Sequence, residues 1–361
     1  MRAAGKIACR QEIGGKEKMK TLVTGAAGLI GSSVVRAAMA DGQEVKALVL
    51  PGEDIRNLKG LELELVEGNL LDPPSLQNAL KGCSKLYQLA AIYRHWHPKG
   101  GDFIRKTNIE GTRNILDAAC KYDLQKVVYT SSISSAGFYK DRPSTEADYP
   151  ELKDCARQPY RESKFLSEKL ACSYAQKLPI TIVNPASPIG KRDWVPTPTG
   201  RTILDFLNGK MFAYVDVGMN LIDVEDLATG FVLADKKGRL GERYILGNKN
   251  MFLKEMFDEL AKLTGLNAPT IKIPRQVVRI VAEVNEAISN ITKREPIAAI
   301  EQALHLGYNE FVDCAKAVTE LGLPQNDIRI AMLKAVKYYL ETGAVEPQRA
   351  RLIQLREPAS S

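Results

Sequence analysis

Tyr160 and Lys164 stand four positions apart in Tyr160-Arg-Glu-Ser-Lys164, a spacing that puts both side chains on one face of a helix. A nearby ammonium favours phenolate and draws a tyrosine from its ordinary value of about 10 toward useful acid–base range. Such a phenol can give a proton to a carbonyl oxygen as hydride reaches the carbon, or take one from an alcohol. Ser132, in Tyr129-Thr130-Ser131-Ser132, offers a hydroxyl that can hold the same oxygen. Serine-hydrolase chemistry is excluded: the chain has no Gly-x-Ser-x-Gly and no suitably placed histidine. The Tyr–Lys spacing recurs at Tyr122/Lys126, which straddles a helix end and a strand start, and at Tyr149/Lys153, interrupted by Pro150. Only Tyr160/Lys164 opens a helix, behind Pro159 and ahead of the apolar positions Leu166, Leu170, Tyr174 and Leu178.

Hydride needs a carrier, and Thr24-Gly25-Ala-Ala-Gly28-Leu-Ile-Gly31-Ser32 supplies a place for one. Thr21 to Thr24 read as a buried strand and Ser32 to Ala40 as an amphipathic helix. Between them Gly25 permits a tight turn, Gly28 lets main-chain N–H groups approach a pyrophosphate, and Gly31 allows close helix–strand packing. The phosphates then rest on the helix N-terminus, so Gly25, Ala27, Gly28, Leu29, Ile30 and Gly31 are candidate cofactor residues.

These groups need a scaffold that brings them to one crevice. Further strands are expected at Glu44–Leu50, Leu61–Val66, Lys85–Ala91, Lys126–Ser131 and Ile180–Val183, alternating with helices at Pro74–Lys81, Thr107–Tyr122 and Tyr160–Lys177. This alternation predicts an α/β fold, a doubly wound parallel sheet with its ligand crevice at the strands' C-terminal ends. Ser132 ends the fifth strand and therefore faces that crevice. After Pro185 the pattern breaks into Pro- and Gly-rich loops with helices at Leu253–Leu263, Arg275–Ile291, Pro296–Ala303 and Asp327–Tyr339, read as a smaller capping domain.

At 361 residues, 45% hydrophobic and 26% charged, the composition is that of a soluble globular enzyme. No apolar run reaches the about 18 residues that span a membrane. The net charge of +7 is concentrated at the start, where residues 1–20 hold six basic and two acidic side chains; the rest is nearly balanced and gives no nucleic-acid footprint. Residues 1–18 lack the apolar core of a secretory signal and read as a disordered basic extension before Met19. Six scattered cysteines without a Cys-x-x-Cys pair fit reduced thiols in the cytoplasm, and His95-Trp-His97 lacks a third ligand, so no metal is expected.

Taken together, Thr24-Gly25-x-x-Gly28-x-x-Gly31, Asn108-x-x-Gly111-Thr112, Ser132 and Tyr160-x-x-Ser163-Lys164 resemble the extended short-chain dehydrogenase/reductase family, over about Met19 to Tyr339. The similarity is greatest to dihydroflavonol-4-reductase-like proteins, while Val183-Asn-Pro-Ala-Ser-Pro-Ile-Gly190 and Pro196-Thr-Pro-Thr-Gly200 resemble hopanoid-associated sugar epimerases. The resemblance implies an NAD(P)-binding Rossmann domain at 19–185, a mainly substrate-binding and partly interleaved region at 186–343, and a polar tail at 344–361. It implies that Ser132 orients the substrate oxygen, Tyr160 is the acid–base, Lys164 lowers the phenol and holds the nicotinamide ribose, and Asn108 supports a relay water. It assigns Leu70, Ala90, Ala91, Thr130, Pro185 and Ala186 to the cofactor, and a homodimer to the helices at 107–122 and 160–177.

Departures from that pattern bear on cofactor and reaction. Neither the acid that marks NAD use nor the arginine that marks NADP use stands at Val49 or Leu50, but Arg56 just beyond can reach a 2′-phosphate, so NADP is favoured and NAD is the alternative. Asn69 takes the place of an adenine-contacting aspartate. Ile133-Ser134 after Ser132 disfavours dehydration, and uncharged Met219 and Asn220 weaken a grip on a sugar-nucleotide diphosphate, though Arg192 or Arg201 could substitute. The expected function is an NAD(P)-dependent carbonyl reductase or alcohol dehydrogenase. A sugar or sugar-nucleotide epimerase is the alternative, and a non-catalytic dinucleotide-binding regulator the third reading. Loops around Tyr93, Trp96, Phe138 and Trp194 offer flat surfaces for a ring-bearing substrate.

Overall fold

The computed structural model describes residues 20–358 apart from 295, 297–299 and 306; the expected basic extension at 1–18 lies outside the described residues. The chain begins β1 (Lys20–Thr24), α1 (Leu29–Ala40), β2 (Val45–Val49), β3 (Glu64–Glu67), α2 (Pro73–Leu80), β4 (Cys83–Gln88), α3 (Gly101–Ala119), β5 (Lys126–Thr130), α4 (Pro159–Ser173) and β6 (Ile180–Pro185). It continues β7 (Ser187–Ile189), α5 (Pro198–Leu207), β8 (Ala213–Tyr214), β9 (Gly218–Asp223), α6 (Val224–Lys237), β10 (Arg243–Leu246) and β11 (Lys249–Phe252). The last elements are α7 (Leu253–Thr264), β12 (Ile271–Lys272), α8 (Arg275–Thr292), α9 (Ile300–His305), α10 (Ile328–Glu341) and α11 (Pro347–Ala350).

Seven parallel strands form one sheet in the order β3-β2-β1-β4-β5-β6-β10. Val, Ile and Leu run through these strands because helices cover both faces. On one face Val34, Val35 and Ala38 of α1 meet Leu227, Phe231 and Ala234 of α6; on the other Leu76, Ile115, Leu116 and Ala171 come from α2, α3 and α4. The sequence reversal between β1 and β4 opens the crevice of such sheets, as expected from the strand pattern.

The sequence reading places no element between Val183 and Leu253, so it lacks the seventh strand together with α5, α6 and the short strands β7, β8, β9 and β11. Arg243–Leu246 is only four residues long and pairs with β6 after the chain has left the sheet and returned. The capping lobe has its own core around Phe206, Met256, Phe257, Leu260, Met332 and Val336, with the three-stranded β11-β9-β7 sheet against it. The segment from Ala344, read as a polar tail, lies along this lobe: Gln354 and Arg356 donate backbone bonds to Thr264 and Leu263, and Val345 is buried.

A buried polar network ties α4, β6, β10 and the turn after β5 together. Glu168 of α4 forms an ion pair with Arg243 of β10 at 2.7 Å, both almost fully enclosed. The other Glu168 oxygen accepts from Ser135 Oγ and from Asn184 Nδ2 of β6, each at 2.6 Å. Asn184 also donates to the Ser132 carbonyl at 3.0 Å, so four segments converge on one carboxylate. Glu168→Gln leaves the enclosed guanidinium uncompensated and is expected to cost about 3 kcal/mol in urea unfolding, whereas a Glu168→Met/Arg243→Met pair recovers much of the loss.

Candidate active site

The turn between β1 and α1 is shaped by two glycines. Gly25 has φ +64°, and a Cβ there would stand 3.0 Å from the Ala90 backbone, while a Cβ on Gly31 would come 2.0 Å from the Gly25 carbonyl. Gly28 caps α1 with no side-chain hydrogen bond and no acid in the first turn. The first N–H groups of the helix therefore remain available to an anion.

These groups open on a cavity of about 850 Å³ lined by Gly25, Ala27, Gly28, Leu29, Ile30, Gly31, Ala90, Ala91 and Thr130. The Thr130 hydroxyl is buried without a partner in the structure, and Arg192 and Arg201 reach the same space. Glycine cradle, uncapped helix, unpaired hydroxyl and cations together fit a pyrophosphate-linked dinucleotide. A second cavity of about 340 Å³ adjoins it and shares Ile30, Leu89, Ala91, Tyr93, His95, Thr130, Pro188 and Pro198 with the first. Ser132, Tyr160, Lys164, Pro185 and Ala186 line this inner chamber.

Pro159 at the first position of α4 starts the helix that carries the pair, and Glu301 from α9 accepts the N–H groups of Tyr160 (3.1 Å) and Arg161 (2.9 Å). Ser132 sits just past β5 and hydrogen-bonds the Tyr160 phenol; its oxygen also accepts the Ser134 N–H at 3.1 Å. Lys164 Nζ donates to the Thr130 carbonyl at 2.9 Å. Burial drives Tyr160 well above the ordinary tyrosine value, with Tyr93 beside it adding to the shift and the Ser132 bond opposing it. Lys164 is pushed down to about 8 by burial, against the pull of Glu168. Burial, and not the expected pull of Lys164, dominates the position of the phenol.

Asn108 is placed differently from its expected relay role. It donates to Ile92 O (3.1 Å) and Ser163 Oγ (2.9 Å) and accepts the Ile92 N–H (2.7 Å), so it clamps the loop after β4 to α4. Ser163 in turn donates to the Tyr160 carbonyl at 2.7 Å. Four expected cofactor residues stand outside both cavity linings. Leu50 is half-exposed, with its N–H on Glu53; Asn69 accepts the Leu71 N–H and is exposed; Leu70 is buried against Gly111. Arg56 is held by Asp54 at 2.7 Å and lies 3.5 Å over the Trp194 ring.

Several lining residues carried no signal in the sequence. Glu53, Asp54 and Asn57 reach the outer cavity from the loop after β2, and Val217, Leu253 and Glu310 enter the inner chamber from the capping lobe. Glu301 lies some 140 positions from the helix it caps, beyond any local spacing rule. Tyr93, Trp96 and Trp194 do line the outer cavity, whereas Phe138 stacks on Tyr308 at 5.1 Å.

Comparison with known proteins agrees with this geometry. Residues 21–247 match the NAD dependent epimerase/dehydratase family. The chain is 37% identical over 331 residues to a "Putative dihydroflavonol 4-reductase" of Synechocystis, covering 90% of this chain and 96% of that protein. It is 31% identical over 336 residues to "Sterol demethylase protein B" of Methylococcus capsulatus, covering 91% and 100%. Among solved structures, gox2253 superposes with a TM-score of 0.81 at 36% identity, over 91% of this chain and 99% of that one. The chain belongs to the NAD dependent epimerase/dehydratase family and is an enzyme.

Proposed function

We propose that the enzyme interconverts a carbonyl and an alcohol on a largely apolar substrate, with Tyr160 exchanging the proton. The observation that carries this reading is the convergence of Ser132, Tyr160 and Lys164 on a chamber continuous with the glycine cradle. A dihydronicotinamide held along the Gly25–Gly31 cradle would supply the hydride and the two electrons of the reduction. Tyr160, protonated because it is buried, delivers the proton to the oxygen; Ser132 steadies that oxygen, and Lys164 fixes the strand end through Thr130.

The chamber favours reduction over sugar-nucleotide epimerisation. Beside Tyr160 stand Pro185, Ala186, Val217, Met219 and Leu253, while Lys164 and the carboxylate of Glu310 are its main charges. A diphosphate would meet Glu310 there and no arginine, whereas an apolar ketone or alcohol meets matching surface. The sterol-linked name of one relative supports the same substrate class. The pairing of Arg56 with Asp54, and the carboxylates of Glu53 and Asp54 at the outer cavity, support NAD rather than NADP, because a 2′-phosphate would face acids.

Tyr160→Phe is expected to lower kcat by about 10²- to 10⁴-fold while NADH binding, read by fluorescence titration, stays intact. Epimerisation without net change at 340 nm would instead identify the alternative. Carbonyl reduction is expected to fall as pH rises through about 8, where Lys164 loses its charge, a profile that stopped-flow at fixed ionic strength resolves. Asp54→Ala frees Arg56 and should shift the NADPH-to-NADH preference in kcat/KM roughly tenfold toward NADPH, the scale of one charge-assisted hydrogen bond.

A further inference from the structure

Helix α8 is built inside out. Val277, Ile280, Val281, Val284, Ala287, Ile288 and Ile291 recur at the spacing of one helix face, and that face points to solvent. Ile280 is 64% exposed and Ile291 83%, whereas among the residues of this helix only Ala282 and Ser289 are fully buried. Three of its polar side chains contact the rest of the protein at the rim of this face while remaining partly exposed. Glu283 pairs with Arg157 at 2.9 Å, Glu286 accepts the Ile300 N–H at 2.8 Å, and Asn290 accepts the Trp96 indole N–H at 3.1 Å. A globular surface helix normally does the reverse, so this stripe has an apolar counterpart outside the fold.

Charge identifies the counterpart. The exposed charges flanking the stripe are Arg279 on the helix and Lys293 and Arg294 just after it. An antiparallel second copy centred on Val284 would set Arg275 against Lys293, and a parallel one would set each cation against itself, so self-pairing is electrostatically opposed. An anionic lipid surface opposes neither arrangement: it takes the apolar stripe into its acyl boundary and the cations at its headgroups. Phe212, 73% exposed and just before β8, and Ile271, 59% exposed and on β12, lie at the short strand pair that leads into the helix and add apolar area at that end. No helix among the described residues is long and apolar enough to cross a membrane.

We propose that α8 is an interfacial helix that docks the enzyme flat on an anionic bilayer, with the cavity mouth beside the lipid. The helix reaches the mouth directly: Trp96 lines the outer cavity and bonds Asn290, and Pro296, just past α8, lines the same cavity. At 18 residues and about 1.5 Å per residue the helix is roughly 27 Å long, sufficient for an in-plane anchor.

Vesicle co-sedimentation of the full chain tests this, with phosphatidylcholine alone and with phosphatidylcholine mixed with phosphatidylglycerol. The expected result is binding to the anionic vesicles at least about tenfold stronger than to the neutral ones, weakened by salt, and lost by about tenfold or more in Val281→Asp/Ile288→Asp. Arg279→Glu should remove much of the preference for anionic lipid while leaving the circular-dichroism spectrum unchanged. The proposal is overturned if the chain ignores both vesicle types, or binds them equally with the Asp variants included. It is also overturned if those variants change only the oligomeric state in light scattering, which would make the face a contact between copies.

Discussion

A single enclosed carboxylate, Glu168, decides whether the parts of the active site share one frame. It reaches Arg243 across the sheet, Ser135 just after the Ser132 turn and Asn184 beside the substrate chamber. Two charges taken out of water are tolerable only where close partners compensate them, and here the partners of the carboxylate come from three segments distant in sequence, while Arg243 Nη2 and Asn184 Oδ1 are buried without a hydrogen bond. The geometry is therefore mutually enforced. If α4 rotated, Tyr160 and Lys164 would leave the chamber, but so would Glu168 leave Arg243.

The same logic of enclosure explains the chemistry. Water is kept from Tyr160 by Tyr93 and His95, whose rings lie 5.0 and 5.7 Å away, and this exclusion is what keeps the phenol protonated. The lysine four residues on suffers the opposite consequence of the same burial and is poised near neutrality. Burial thus pushes both groups toward their neutral forms, the phenol upward and the ammonium downward.

The sheet, its crevice and the placement of Tyr160 and Lys164 at that crevice were legible because each has a local signature: alternating strand and helix periods, glycines at fixed spacing, Tyr and Lys on one helical face. Gly31 was readable as a packing glycine because only backbone fits against the Gly25 carbonyl. What escaped depends on residues far apart in the chain. The four-residue β10 is too short to show a period, and Arg243 gains its meaning only from Glu168. Arg56 looked like a phosphate ligand because its partner, Asp54, two residues away, is engaged through a loop geometry that spacing does not reveal. Asn108 had the right neighbourhood, but its three hydrogen bonds make it a clamp on the helix.

The cap on α4 has a consequence for the order in which the chain becomes an enzyme. The first peptide groups of the catalytic helix end on Glu301, which leaves the ribosome long after Tyr160 does. β10, which supplies Arg243, also emerges late. A nascent chain halted after β6 would carry Ser132, Tyr160 and Lys164 and still lack both the cap and the counter-charge. Competence is thus conferred retroactively, by the last third of the chain on the first half, and such long sequence separation favours slow, cooperative completion over stepwise maturation.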